Sequence, residues 1–61
     1  KILSLEKMIK LQNILQSTGY NVGKVDGILG RQTRQSVRSI QIKLDLPADS
    51  WPTDDLLNIL N

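Results

Sequence analysis

The 61-residue sequence contains neither cysteine nor histidine. Without cysteine there can be no disulfide and no thiolate metal site, and without histidine the usual general base and the usual zinc ligand are both missing. A metal would have to be held by carboxylates and carbonyls, and neither a metal nor a cofactor is expected. Phenylalanine is absent as well, and there is one Tyr and one Trp, so the core has to be aliphatic. No strong excess of one charge exists: eight Lys and Arg stand against six Asp and Glu, a net +2. That balance argues against a nucleic-acid partner and supplies no acidic tail. The apolar runs are too short to span a bilayer and no signal-peptide pattern is present, so no membrane insertion by this segment is expected. The lack of cysteine suits a reducing cytosol and a short envelope module equally, and it does not choose a compartment. At this length the chain is one small domain, near the lower limit of what folds without staples. Opening on Lys1, it reads as a piece of a larger protein.

What the sequence does have is three stretches of helical periodicity separated by two turn-rich connections. The first helix is expected from about Leu5 to Thr18, with Ser4 as N-cap and Gly19 as the left-handed residue that ends it. Met8, Leu11, Leu15 and Thr18 recur on one face, which marks that face as buried. From Tyr20 to Gly30 the glycines and Asn21 forbid a long regular element. A second helix is expected from Arg31 to Leu44, burying Val37, Ile40 and Leu44, with Thr33 at its beginning. At roughly 100° per residue, Arg31, Arg34 and Arg38 gather on a solvent-facing side, joined by Ile42. Asp45 follows at a position that wants a positive φ. After a turn from Leu46 to Ser50, Pro52 stands at or near the start of a third helix. Its apolar face would be Leu56, Leu57, Ile59 and Leu60, and its first turn carries Asp54 and Asp55, where negative charge suits the helix dipole. The implied fold class is all-α: a small three-helix bundle over residues 5–61 with a long glycine-containing loop between helices 1 and 2. Residues 1–4 would be a linker from a preceding domain. The acid, turn and threonine of Asp26 to Thr33 recur in Asp49 to Thr53; this reads as shared capping chemistry and not as a true repeat.

Several constellations invite a functional reading. Gly27 and Gly30 lack the Lys-Ser/Thr that follows a phosphate-binding loop, and no strand precedes them. Glycoside cleavage would need two carboxylates in different environments. Each acid here already has a turn or a helix end to serve, and so short a chain can hardly enclose a dry pocket that raises a carboxyl pKa. No catalytic residue is expected. The arginine stripe evokes a helix-turn-helix, but that motif joins its helices by three or four residues, far fewer than separate these two. Arginine forks suit carboxylates as well as phosphate, and the stripe can equally be a plain solvated face. Asp26 can make an Asx turn and Thr33 can satisfy helix-start amides, or both can touch a ligand. Trp51 can cover the end of the core with most of its ring or stack on a sugar or a partner.

Taken in order, Leu11-Gln12, Ile14-Leu15, Gly19-Tyr20, Asp26-Gly27-Ile28-Leu29-Gly30-Arg31-Gln32-Thr33, Val37-Arg38-Ser39-Ile40-Gln41 and Leu46-Pro47-Ala48-Asp49 resemble the peptidoglycan-binding domain appended to many bacterial cell-wall hydrolases. The resemblance spans nearly the whole chain. The ending, Leu46-Pro47-Ala48-Asp49-Ser50-Trp51-Pro52-Thr53 followed by Leu56-Leu57, is similar to the C-terminal module of lytic murein transglycosylase B-type enzymes. The chain departs from the family pattern where Asp45 and Ser50 replace glycines, Ile40 replaces an aromatic core residue and Thr18 replaces a leucine.

This resemblance implies a non-catalytic module that holds an attached murein transglycosylase on the bacterial wall, in the periplasm or cell envelope. Its partners would be peptidoglycan, through stem peptide, glycan or both, and the attached catalytic domain, with the module itself a monomer. The expected contact surface is a shallow groove between the Tyr20–Gly30 loop, the start of the second helix and the turn near Trp51, with Asp26, Gly27, Arg34, Gln41 and Trp51 as ligand-binding candidates. The alternative is an interaction module without wall affinity that packs on its own catalytic domain through a surface including Ile42.

Overall fold

The computed structural model describes residues 3–61 and contains three α-helices: α1 (Leu5–Ser17), α2 (Arg31–Lys43) and α3 (Asp54–Leu60). Among the described residues there is no strand, and no helix is long and apolar enough to cross a membrane. Both α2 and α3 pack against α1, so α1 is the helix around which the bundle is built. Its stripe of Met8, Leu11 and Leu15 meets Val37 and Ile40 of α2, Leu56 and Leu57 of α3, and Val22 of the connecting loop in one aliphatic core. Leu11 and Leu15 are fully buried, and cutting either back to alanine costs about 2–5 kcal/mol through lost transfer energy and a cavity.

Helix ends follow local chemistry. Ser4 caps α1 through a long bond from the Lys7 amide to its hydroxyl, 3.4 Å. At the other end Gly19 takes φ +99, and the Tyr20 amide reaches back to the Leu15 carbonyl at 2.9 Å, closing the helix as left-handed glycine ends do. Helix α2 ends the same way without glycine: Asp45 takes φ 60 and the Leu46 amide reaches the Gln41 carbonyl at 2.8 Å. Thr53 caps α3, accepting the Leu56 amide at 3.1 Å, and Lys7 of α1 pairs with Asp54 at 2.8 Å. Pro52 therefore lies just outside α3, and it is buried.

Three expectations about faces are corrected. Thr18 is exposed rather than buried: α1 stops at Ser17, and the Thr18 hydroxyl turns back to donate to the Ile14 and Leu15 carbonyls. Ile59 is 54% exposed, because Leu56, Leu57 and Leu60 centre the buried stripe of α3 roughly 100° away from it. Thr33 does not cap α2. Gly30 is the N-cap and offers no side chain, while the Thr33 hydroxyl points inward. Of the expected linker over residues 1–4, the first two residues lie outside the described residues; Leu3 is buried in the core and Ser4 caps α1.

Candidate functional site

The buried Gln12 side chain anchors the loop before α2. Gln12 occupies the i+4 position in the stripe Met8, Leu11, Gln12, Leu15 and has no exposed surface. A buried amide without partners would cost the fold dearly, and here each of its ends is satisfied. Its carbonyl oxygen accepts the Gly27 amide at 2.8 Å, and its nitrogen donates to the Ile28 carbonyl at 3.0 Å and to the Thr33 hydroxyl at 3.1 Å. Thr33 in turn donates to the Val22 carbonyl at 3.2 Å, and Ser36 donates to the Asn21 carbonyl at 2.6 Å. Asp26 turns the chain by accepting the Ile28 amide at 2.9 Å. Gly27 takes φ +80, a conformation that favours glycine, and a Cβ there would meet only the tip of the exposed Leu5 side chain of α1, which can turn aside.

Gln41 repeats this arrangement one connection later. It sits in the stripe Val37, Ile40, Gln41, Leu44, again at i+4, and is buried. Its oxygen accepts the Ser50 amide at 3.0 Å, and its nitrogen donates to the Trp51 carbonyl at 3.2 Å and to the Asp49 carboxylate at 3.0 Å. Asp49 accepts the Trp51 amide at 2.9 Å, as Asp26 accepts that of Ile28. Ser50, like Gly27, has a positive φ, 64. The bond from the Trp51 amide, and then that from Gln41, hold the Asp49 carboxyl below its ordinary value of 3.8. The echo between the two loops thus extends to the glutamines that clamp them and is deeper than shared capping. Among the described residues no buried side-chain polar atom is left unpaired.

Beside each clamp lies a shallow depression. One, of ≈ 520 Å³ and widely open, lies between the loop and the start of α2 and is lined by Lys24, Asp26, Ile28, Gly30 and Arg31 among others. The other, of ≈ 220 Å³, lies between the Leu46–Trp51 turn and α3 and includes Trp51, Asp55 and Ile59. The molecule has principal extents of 27 × 22 × 19 Å, and both depressions are open at its surface. The candidate residues are divided between these places. Asp26 borders the first depression; Gly27 is the backbone beneath it; Gln41 and Trp51 border the second; Arg34 is exposed on α2 and lines neither. Trp51 is 40% exposed, and its clamp contacts run through main-chain atoms. Arg38 donates to the Ala48 carbonyl at 3.0 Å, tying the turn to α2. Gln12, Lys24, Asp55 and Ile59 were not among the expected site residues. A signal for Gln12 was available: a glutamine at i+4 of an apolar stripe has to be buried and bonded. Among the described residues no group of three or more acidic side chains could hold a metal ion.

Residues 4–60 match the family described as "Putative peptidoglycan binding domain". The chain belongs to this peptidoglycan-binding family. The chain is 43% identical over 44 residues to a spore cortex-lytic enzyme of Bacillus cereus, a stretch covering 72% of this chain and 17% of that protein. Its fold is similar to that of SltB3 from Pseudomonas aeruginosa, crystallised with NAG-anhNAM-pentapeptide, with TM-score 0.91 and 43% identity over 95% of this chain and 16% of that one. A second SltB3 structure, with NAG-NAM-pentapeptide, gives TM-score 0.92 and 42% identity over 97% of this chain and 16% of that one. The chain therefore spans about a sixth of the length of these relatives.

Proposed function

We propose that this peptidoglycan-binding domain is a non-catalytic module that holds an attached lytic enzyme, a murein transglycosylase, on the wall in the periplasm or cell envelope. The observation that carries this reading is the match to the family over residues 4–60, supported by similarity to SltB3, itself crystallised with murein fragments. Binding raises the local concentration of the enzyme on an insoluble polymer, without any chemistry in the module. Within the site, Asp26, Gly27 and Gln41 act as frame, since their polar groups are spent on turning or clamping the loops. Arg34 and the Trp51 ring are the contact candidates. Co-sedimentation with purified sacculi tests the reading. The chain is expected to pellet with them and Trp51→Ala and Arg34→Ala to weaken retention, whereas a chain left wholly in the supernatant overturns it.

The exposed Ile42, 60% accessible on α2 and outside both depressions, favours a second reading. In it the module packs on its own catalytic domain and has no wall affinity. Ile42→Glu would then loosen the two domains in the full-length parent, seen as faster proteolysis between them, with sacculus retention unchanged.

A further inference from the structure

The two depressions differ in chemical character although their clamps are alike. Lys24 and Arg31 border the first, together with Asp26. The second is walled by Leu46, Pro47, Trp51 and Ile59, and the ionisable groups among its lining residues are both acids, Asp49 and Asp55. Its volume of ≈ 220 Å³ falls below the roughly 300–1,000 Å³ of sites that enclose a whole small molecule, so it suits one side chain, not a disaccharide. An apolar depression with two carboxylates among its lining residues is complementary to an aliphatic stem that ends in a cation. The methylenes lie on indole and isoleucine, and the charge stays at the wet, acidic rim. Asp49 remains ionised there at neutral pH, since its carboxyl is held low by the Trp51 and Gln41 bonds.

We propose that the Trp51–Ile59 depression receives a peptide side chain with an aliphatic stem and a terminal ammonium, which Asp55 attracts, with the clamped Asp49 adding negative charge beside it. This rests on the wall-binding reading above and sharpens it. In peptidoglycan a diamino acid of the stem peptide offers such an amine; a cross-link turns the amine of the stem that accepts the acyl group into a neutral amide, while the stem that supplies the acyl group keeps its own. The module therefore selects stems whose diamino-acid amine has not accepted a cross-link.

The test is a chemical-shift titration of the 61-residue chain with a soluble stem tripeptide ending in a diamino acid, and with the same tripeptide acetylated on the side-chain amine. Shifts are expected at the Trp51 indole N–H, Leu46 and Ile59. Acetylation, or Asp55→Asn, should weaken binding about three- to fivefold, the worth of one exposed ion pair, with less difference at high salt. Acetylation leaves the protein untouched, so that comparison does not depend on any variant folding. Equal affinity for both tripeptides, or shifts confined to the Lys24–Arg31 depression, overturns the inference. Sacculus co-sedimentation run alongside separates the failures. Retention on sacculi with no tripeptide shifts at Trp51 removes this inference and leaves wall binding standing; no retention and no shifts removes both.

Discussion

Gln12 joins the packed face of α1 to two groups of a distant loop and to the Thr33 hydroxyl of α2, and its loss should be felt as a core defect although it is a polar residue. Gln12→Leu would leave the Gly27 amide and the Ile28 carbonyl without their partner. A cost of about 2–4 kcal/mol is expected in urea unfolding, from unpaired buried polar groups. The same change at the exposed Gln16 should stay within roughly 0.5 kcal/mol. Ser50 predicts the opposite sign. A non-glycine residue at φ 64 is strained by about 1 kcal/mol, so Ser50→Gly should raise the melting temperature. Asp49 supplies a pH signature. Its folded pKa lies below the ordinary 3.8, so its ionised form stabilises the fold, fully so above that value. The contribution fades as the pH falls below the unfolded pKa and is gone once the folded one is passed. Thermal melts taken from neutral pH down to about pH 2 should show a shallower acid loss for Asp49→Asn than for the parent chain.

At the scale of elements, α2 begins against the usual electrostatic rule. Its N-cap is Gly30 with no side-chain bond, its first turn holds no acid, and Arg31 is its first residue. Arg31→Glu should therefore stabilise the chain by about 0.5 kcal/mol at low salt through the helix dipole, with the gain shrinking as salt is added. The other helix ends could be read directly from sequence, because caps are local. Ser4, Gly19 and Asp45 act within a few residues of themselves, and the existence of all three helices follows from apolar spacing. Apolar spacing does not settle the faces of Thr18 and Ile59, because a periodic pattern does not say where a helix stops, or which edge of its stripe looks outward. The clamps were less legible still. Gln12 and Gln41 could be marked as buried from their place in a stripe, but their partners are chosen by how loops fold back over 8 to 21 positions. The division of Asp26 and Trp51 between two depressions arises from packing around α1, on which local spacing is silent.

For the whole molecule, the function proposed above makes the chain a part that binds and leaves chemistry to an attached domain. Joined to a lytic domain, the chain should raise turnover of insoluble sacculi about tenfold or more at dilute enzyme and leave turnover of soluble murein fragments unchanged. An equal effect on both substrates would point to a change in the enzyme's own active site instead of tethering.

The paired glutamines also write a timetable for local opening. The Gly27 and Ser50 amides, although they sit in irregular loops, are each held by a buried side chain. They should exchange their hydrogens with solvent far more slowly than neighbouring loop amides such as Lys24, at rates near those of the helix cores. Ser50 is tied by a clamp spanning nine residues and Gly27 by one spanning fifteen. If the two loops open separately, the difference between their exchange rates measures how much of the molecule must come apart to release each one.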